Sequence, residues 1–243
     1  MARPGRRIGL ARWLSKQGVM SRSRAEAQIR AGRVQLNGAR VLDPEAPVVG
    51  TDARVSIDGE PLCSPGQRYL MLNKPRGLVT TVRDERSRDT VYRCFEGADV
   101  GWIAPVGRLD KASEGLLLFS SDSEWAAKIT DPATGPSKTY HVQVAGIPNL
   151  ASLSRMEAGV EVEGSEHLAV VRARILRVGE RNAWLEIELD EGRNRQIRRI
   201  LSALGYEVLR LVRIGIGPLA LGDLAKGAWR DLTEVEIAAL RGE

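Results

Sequence analysis

The run Pro105-Val106-Gly107-Arg108-Leu109-Asp110-Lys111-Ala112-Ser113-Glu114-Gly115-Leu116-Leu117-Leu118 sets an arginine and an aspartate on a glycine-bounded loop just before an apolar stretch suited to a buried strand. A rigid sheet can hold a loop carboxylate in place. An ionised carboxylate held this way serves as a nucleophile or a base. The same spacing lets Asp110 make a turn or pair locally with Lys111 or Arg108, so the run alone leaves both readings open. A second cluster is Glu191-Gly192-Arg193-Asn194-Arg195-Gln196-Ile197-Arg198-Arg199. In a helix from Arg193 to Leu204, residues Ile197, Ile200, Leu201 and Leu204 recur at helical spacing and define the buried face. At about 100° per residue, Arg198 falls at the edge of that face and can reach inward to Asp110, while Arg195 and Arg199 point outward and are left for phosphates. An arginine beside a shielded carboxylate keeps it ionised.

Other chemistries find little support. The two cysteines, Cys63 and Cys94, are far apart and form no CxxC pair, which suits a reducing cytoplasm and argues against zinc. His141 and His167 stand in strand-like segments without partners at useful spacing and read as packing or surface residues. No metal or organic cofactor is expected. No segment approaches the roughly 18 to 20 apolar residues of a membrane span, and the basic start Met1 to Arg7 leads into no apolar run, so a cytoplasmic location is expected.

The elements that must position these residues follow from periodicity. Tyr69 to Leu72 reads as a strand ending at Lys74-Pro75-Arg76-Gly77, Leu116 to Phe119 as a buried strand, and Tyr140, Val142 and Val144 as a strand with one dry face. Residues 168–178 and 183–189 alternate around turn material at Gly179 to Asn182. The expected class is α+β, with a mixed, largely antiparallel sheet flanked by helices.

Before this lies a basic segment. Residues 1–40 hold ten Arg or Lys against one acidic residue, Glu26. Residues 1–62 carry the entire net charge of +5, while residues 63–243 balance at 25 against 25. A concentration of positive charge on a folded unit favours a polyanion, because neutralising phosphates releases counterions; a solvated arginine-rich surface is the plainer alternative. Leu10, Trp13 and Leu14 form a helical stripe stopped at Gly18, Ser21 or Ser23 can cap a second helix with Ala25 and Ile29 inward, and Asn37-Gly38 and Asp58-Gly59 are hairpin-turn signals. The expected division is a small domain over residues 1–62, a linker at 63–67 containing Ser64, Pro65 and Gly66, and a larger domain over 68–243.

The small domain resembles the alpha-L RNA-binding domain of ribosomal protein S4, through Ser21-Arg22-Ser23-Arg24, Ala25-Glu26, Ile29, Gly32-Arg33-Val34 and Asn37-Gly38. That resemblance implies RNA contacts from Arg22, Arg24, Arg30 and Arg33. The larger domain resembles the pseudouridine synthases that modify ribosomal RNA. The likeness runs through the Gly-Arg-Leu-Asp motif at Gly107 to Asp110 and through Asn73 to Gly77, Asp122-Ser123-Glu124, Lys138-Thr139-Tyr140, Glu191 to Arg199 and Gly227 to Thr233. Ser113 and Ser123 depart mildly from it, standing where Thr and Gly are common.

The resemblance implies that Asp110 is the catalytic carboxylate, with Arg198 as its partner and Tyr140 stacked on the target base. It further implies that Arg108 fills the space left by a flipped uridine and that Leu211 packs against the base. Whether Asp110 attacks ribose, attacks the uracil ring or removes a sugar proton stays open. The implied function is isomerisation of one uridine in ribosomal RNA by a monomer, with large-subunit RNA favoured over small-subunit RNA. A non-catalytic RNA-binding assembly factor is the alternative from another class.

Overall fold

A computed structural model describes residues 8–49, 53–62, 66–81 and 87–242. The basic start Met1 to Arg7, Cys63 and the first part of the linker lie outside them. The chain divides into two compact units. One comprises residues 1–69 with 98–104 and 120–124, and the other 70–97, 105–119 and 125–243.

In the first unit, α1 (Leu10–Lys16) and α2 (Arg22–Arg30) pack through Leu10, Leu14, Ala25 and Ile29, all fully buried. Trp13 packs half-buried against this core, as the stripe predicts. Ser21 caps α2, accepting a hydrogen bond from the Arg24 amide at 3.2 Å. Strands β1 (Val34–Leu36) and β2 (Val55–Ile57) pair antiparallel, and short arms at Ala39–Arg40 and Glu60–Pro61 extend the sheet on either side. Both turns use left-handed backbone, at Asn37-Gly38 and Asp58-Gly59, as those dipeptides predict.

The second unit is built on a nine-stranded sheet. Its main strands are β3 (Tyr69–Lys74), β4 (Glu114–Ser120), β5 (Lys138–Ala145), β6 (Arg172–Val178), β7 (Asn182–Leu189), β8 (Val208–Ile216) and β9 (Trp229–Asp231). They lie in the order β6-β7-β5-β8-β4-β3-β9. The pairs β6–β7, β7–β5 and β5–β8 run antiparallel, and β8 and β4 run parallel. The sheet is mixed and mostly antiparallel, as expected for the α+β class. Helices α3 (Ser123–Thr130), α4 (Leu150–Ala158), α5 (Gln196–Ala203) and α6 (Glu234–Arg241) accompany it.

Strand β4 is buried along its whole length, which explains its unbroken apolar run. Strand β5 buries Tyr140, Val142 and Val144 on one face. The alternating stretch 168–178 is not one strand: Glu166–Leu168 pairs with Val160–Val162 in a separate hairpin, and β6 begins at Arg172. Gly115 has φ +100, and a Cβ there would sit 2.2 Å from the Arg213 carbonyl oxygen, so the close parallel approach of β4 and β8 requires glycine. Among the described residues, no helix is long and apolar enough to cross a membrane.

Candidate active site

Asp110 follows the short strand Ala104–Val106 on a loop whose backbone is tied down from several sides. The Thr80 hydroxyl donates to the Leu109 carbonyl at 2.7 Å and accepts from the Leu109 amide at 3.3 Å. Gly77 N–H donates to the Lys111 carbonyl at 2.7 Å, and Ser113 N–H closes a turn onto the Asp110 carbonyl at 3.0 Å. Lys74, fully buried at the end of β3, donates from Nζ to the carbonyls of Ser113 at 2.8 Å, Pro75 at 3.0 Å and Asp110 at 3.2 Å. Burial pushes the Lys74 ammonium down to about 8, against an upward pull from the Asp110 charge. Sequence reasoning gave Lys74 and Thr80 no role. The signal available for Lys74 was a lysine closing a strand that is otherwise dry.

The loop opens onto a cavity of about 650 Å³ lined by Arg108, Asp110, Tyr140, Arg195, Arg198, Leu211, Lys138 and Arg213. Tyr140 and Leu211 are buried in its wall, while Arg108 is exposed. The structure therefore gathers Asp110, Tyr140, Arg108, Arg198 and Leu211 at one cavity. It corrects how the arginines are disposed. Arg195 Nη1, not Arg198, pairs with Asp110 Oδ2, at 3.4 Å. The reason is local: α5 starts at Gln196, and Arg195 stands before it in left-handed backbone (φ 50), so a helical wheel drawn from Arg193 gives Arg195 the wrong direction.

Arg198 reaches inward as expected, but its Nη atoms donate to the Ala112 and Val208 carbonyls, both at 3.4 Å, and its buried Nε has no partner. Burial, then the Arg195 charge, lowers the Arg198 pKa against an upward pull from Asp110. Arg199 is not left free for phosphate: its Nη2 donates to Glu166 at 2.6 Å, and Arg193 holds the same carboxylate at 3.0 Å. These two hydrogen bonds hold Glu166 below the usual carboxylate range. His141 also has a partner, Glu186 directly across the β5–β7 ladder at 3.3 Å.

On the first unit, Arg22 pairs with Glu26 at 3.3 Å and Glu45 at 3.0 Å, Arg30 with Glu26 at 3.4 Å, and Arg33 with Asp58. Arg24 is exposed and makes no ion pair among the described residues.

A family model described as RNA pseudouridylate synthase matches residues 68–203, more than half of the chain, and an S4 domain model matches residues 8–55. The chain belongs to the RNA pseudouridylate synthase family. It is an isomerase with an S4 RNA-binding domain ahead of its catalytic fold. This pseudouridine synthase is 37% identical over 240 residues to an uncharacterized RNA pseudouridine synthase of Aquifex aeolicus, covering 96% of this chain and 93% of the relative. It is 34% identical over 234 residues to ribosomal large subunit pseudouridine synthase B of Bacillus subtilis, covering 96% and 95%. A crystal structure of a pseudouridylate synthase superposes with a TM-score of 0.66 at 30% identity, over 96% of this chain and 99% of the other.

Proposed function

We propose that this pseudouridine synthase isomerises one uridine of large-subunit ribosomal RNA, with Asp110 as the catalytic carboxylate acting on a nucleotide flipped out of its stack. The observation that carries this reading is the convergence of a backbone-clamped Asp110 with buried Tyr140 and Leu211 around one cavity. The reaction breaks the bond between N1 and C1′, forms one between C5 and C1′, releases the proton of C5 to solvent and takes up a proton at N1. A carboxylate supplies the nucleophile or base, and an aromatic ring supplies a π-face for the base as it turns. Flipping costs a few kcal/mol, offset by contacts to the extruded nucleotide and its neighbours. Exposed Arg108 fills the vacated space, and exposed Arg24 contacts an RNA phosphate. The large-subunit choice rests on the Bacillus subtilis relative.

Tritium release from ribosomal RNA carrying C5-labelled uridine tests the chemistry: wild type releases label, and Asp110→Asn slows release by roughly 1,000-fold or more. Equal release by Asp110→Asn removes the carboxylate from the mechanism, and no release by wild type leaves an RNA-binding protein. Pseudouridine mapping of ribosomal RNA from cells with and without the gene identifies the nucleotide. A lost modification in small-subunit RNA overturns the large-subunit assignment.

A further inference from the structure

Arg213 is 5% exposed, yet its Nη2 has no hydrogen-bond partner, and it makes no ion pair among the described residues. Its Nε donates to the Leu116 carbonyl at 2.7 Å, which fixes the guanidinium in the protein. A buried cation with an unused donor destabilises the empty fold. Such a group is expected where a ligand completes it. Arg213 lies directly across the β5–β8 ladder from Tyr140, and Leu211 sits two residues earlier on the same strand. Opposite residues of an antiparallel pair, and residues two apart on one strand, share a face. Tyr140, Leu211 and Arg213 accordingly line the same cavity as Asp110. Half-buried Lys138 lines it too, its pKa lowered by burial and by the charge of Arg213 against an upward pull from Asp190.

Resting on the reading of the cavity as the uridine site, we propose that Arg213 is the residue that recognises the target base, its guanidinium donating to a ring carbonyl of uracil. A guanidinium offers donors only. It therefore selects a carbonyl edge, of which uracil has two and cytosine one. A phosphodiester is the other acceptor that RNA brings. It stays on the backbone, within reach of exposed side chains such as Arg108, whereas the base is the part of a nucleotide that enters a buried pocket.

The test uses a synthetic RNA spanning the mapped uridine, with that residue unmodified, 2-thio or 4-thio. Sulfur accepts hydrogen bonds more weakly than oxygen, and the readout is single-turnover kcat/KM. In wild type, one of the two thio substitutions slows the reaction about 10- to 100-fold. Arg213→Met slows the unmodified RNA by a similar factor, and the same thio substitution then costs no more than about twofold further. Arg213→Lys gives a second reading of the same coupling should the methionine variant fold poorly, and the wild-type thio penalty needs no variant. The proposal is overturned if neither thio substitution slows wild type beyond about twofold, or if the penalties of variant and substitution multiply independently. Failure of the uridine-site reading shows separately, as no conversion of unmodified RNA by wild type, and it overturns the role of Arg213 with it.

Discussion

Three carbonyls, from Ser113, Pro75 and Asp110, meet the buried Lys74 ammonium at 2.8, 3.0 and 3.2 Å. A protonated lysine has a donor for each, and a neutral amine has only two. Its pKa falls from 10.5 in the unfolded chain to about 8 in the fold, so between those values the unfolded chain binds more protons and stability rises with pH. Activity should move the other way. Above about pH 8 the clamp loses a donor, the 110–113 loop loosens, and the single-turnover rate falls. Lys74→Met should slow the reaction by roughly 100-fold through misplacement of Asp110, and should abolish the alkaline limb in a pH–rate profile. A variant that keeps the limb would assign it to another group.

Strand β8 lines the cavity through Leu211 and Arg213 and pairs with β4, which follows the Asp110 loop. Gly115 is what allows the two strands to meet, since a side chain there would press on the Arg213 backbone. Gly115→Ala should cost at least about 2 kcal/mol from the positive φ and the steric contact together. Thermal unfolding and tritium release should fall in parallel. Unchanged stability would mean that the strands can part without cost. At α5 the sequence showed the buried face through Ile197, Ile200 and Leu201, all buried, whereas Leu204, expected on the same face, is half-buried and stands just past the helix end. It could not show where the helix begins, because the left-handed turn at Arg195 depends on loop geometry and on Gln196 bonding the Ala169 carbonyl at 2.9 Å.

Across the whole molecule, the sequence concentrates positive charge in residues 1–62, and on the S4 domain three of the four candidate arginines, Arg22, Arg30 and Arg33, are already paired. Exposed Arg24 is the exception among the four candidates. If it meets a phosphate, Arg24→Gln should weaken RNA binding and flatten the log Kd against log salt slope by a little under one. An unchanged slope would place the phosphate contacts elsewhere. Local signals sufficed for the hairpin turns at Asn37-Gly38 and Asp58-Gly59, the dry face of β5 and the buried run of β4, because each depends on backbone preference or on a period of two or 3.6 residues. Motif order sufficed for the family. The partners of charged side chains were decided only by the tertiary structure. Arg195 reaches Asp110, Arg199 meets Glu166, and Arg213 keeps an unpaired donor, all because strands and loops far apart in the chain come within a few ångströms. Hydrophobic periodicity records which way a residue faces, but an ion pair depends on what stands opposite, and that is set by how the sheet is assembled.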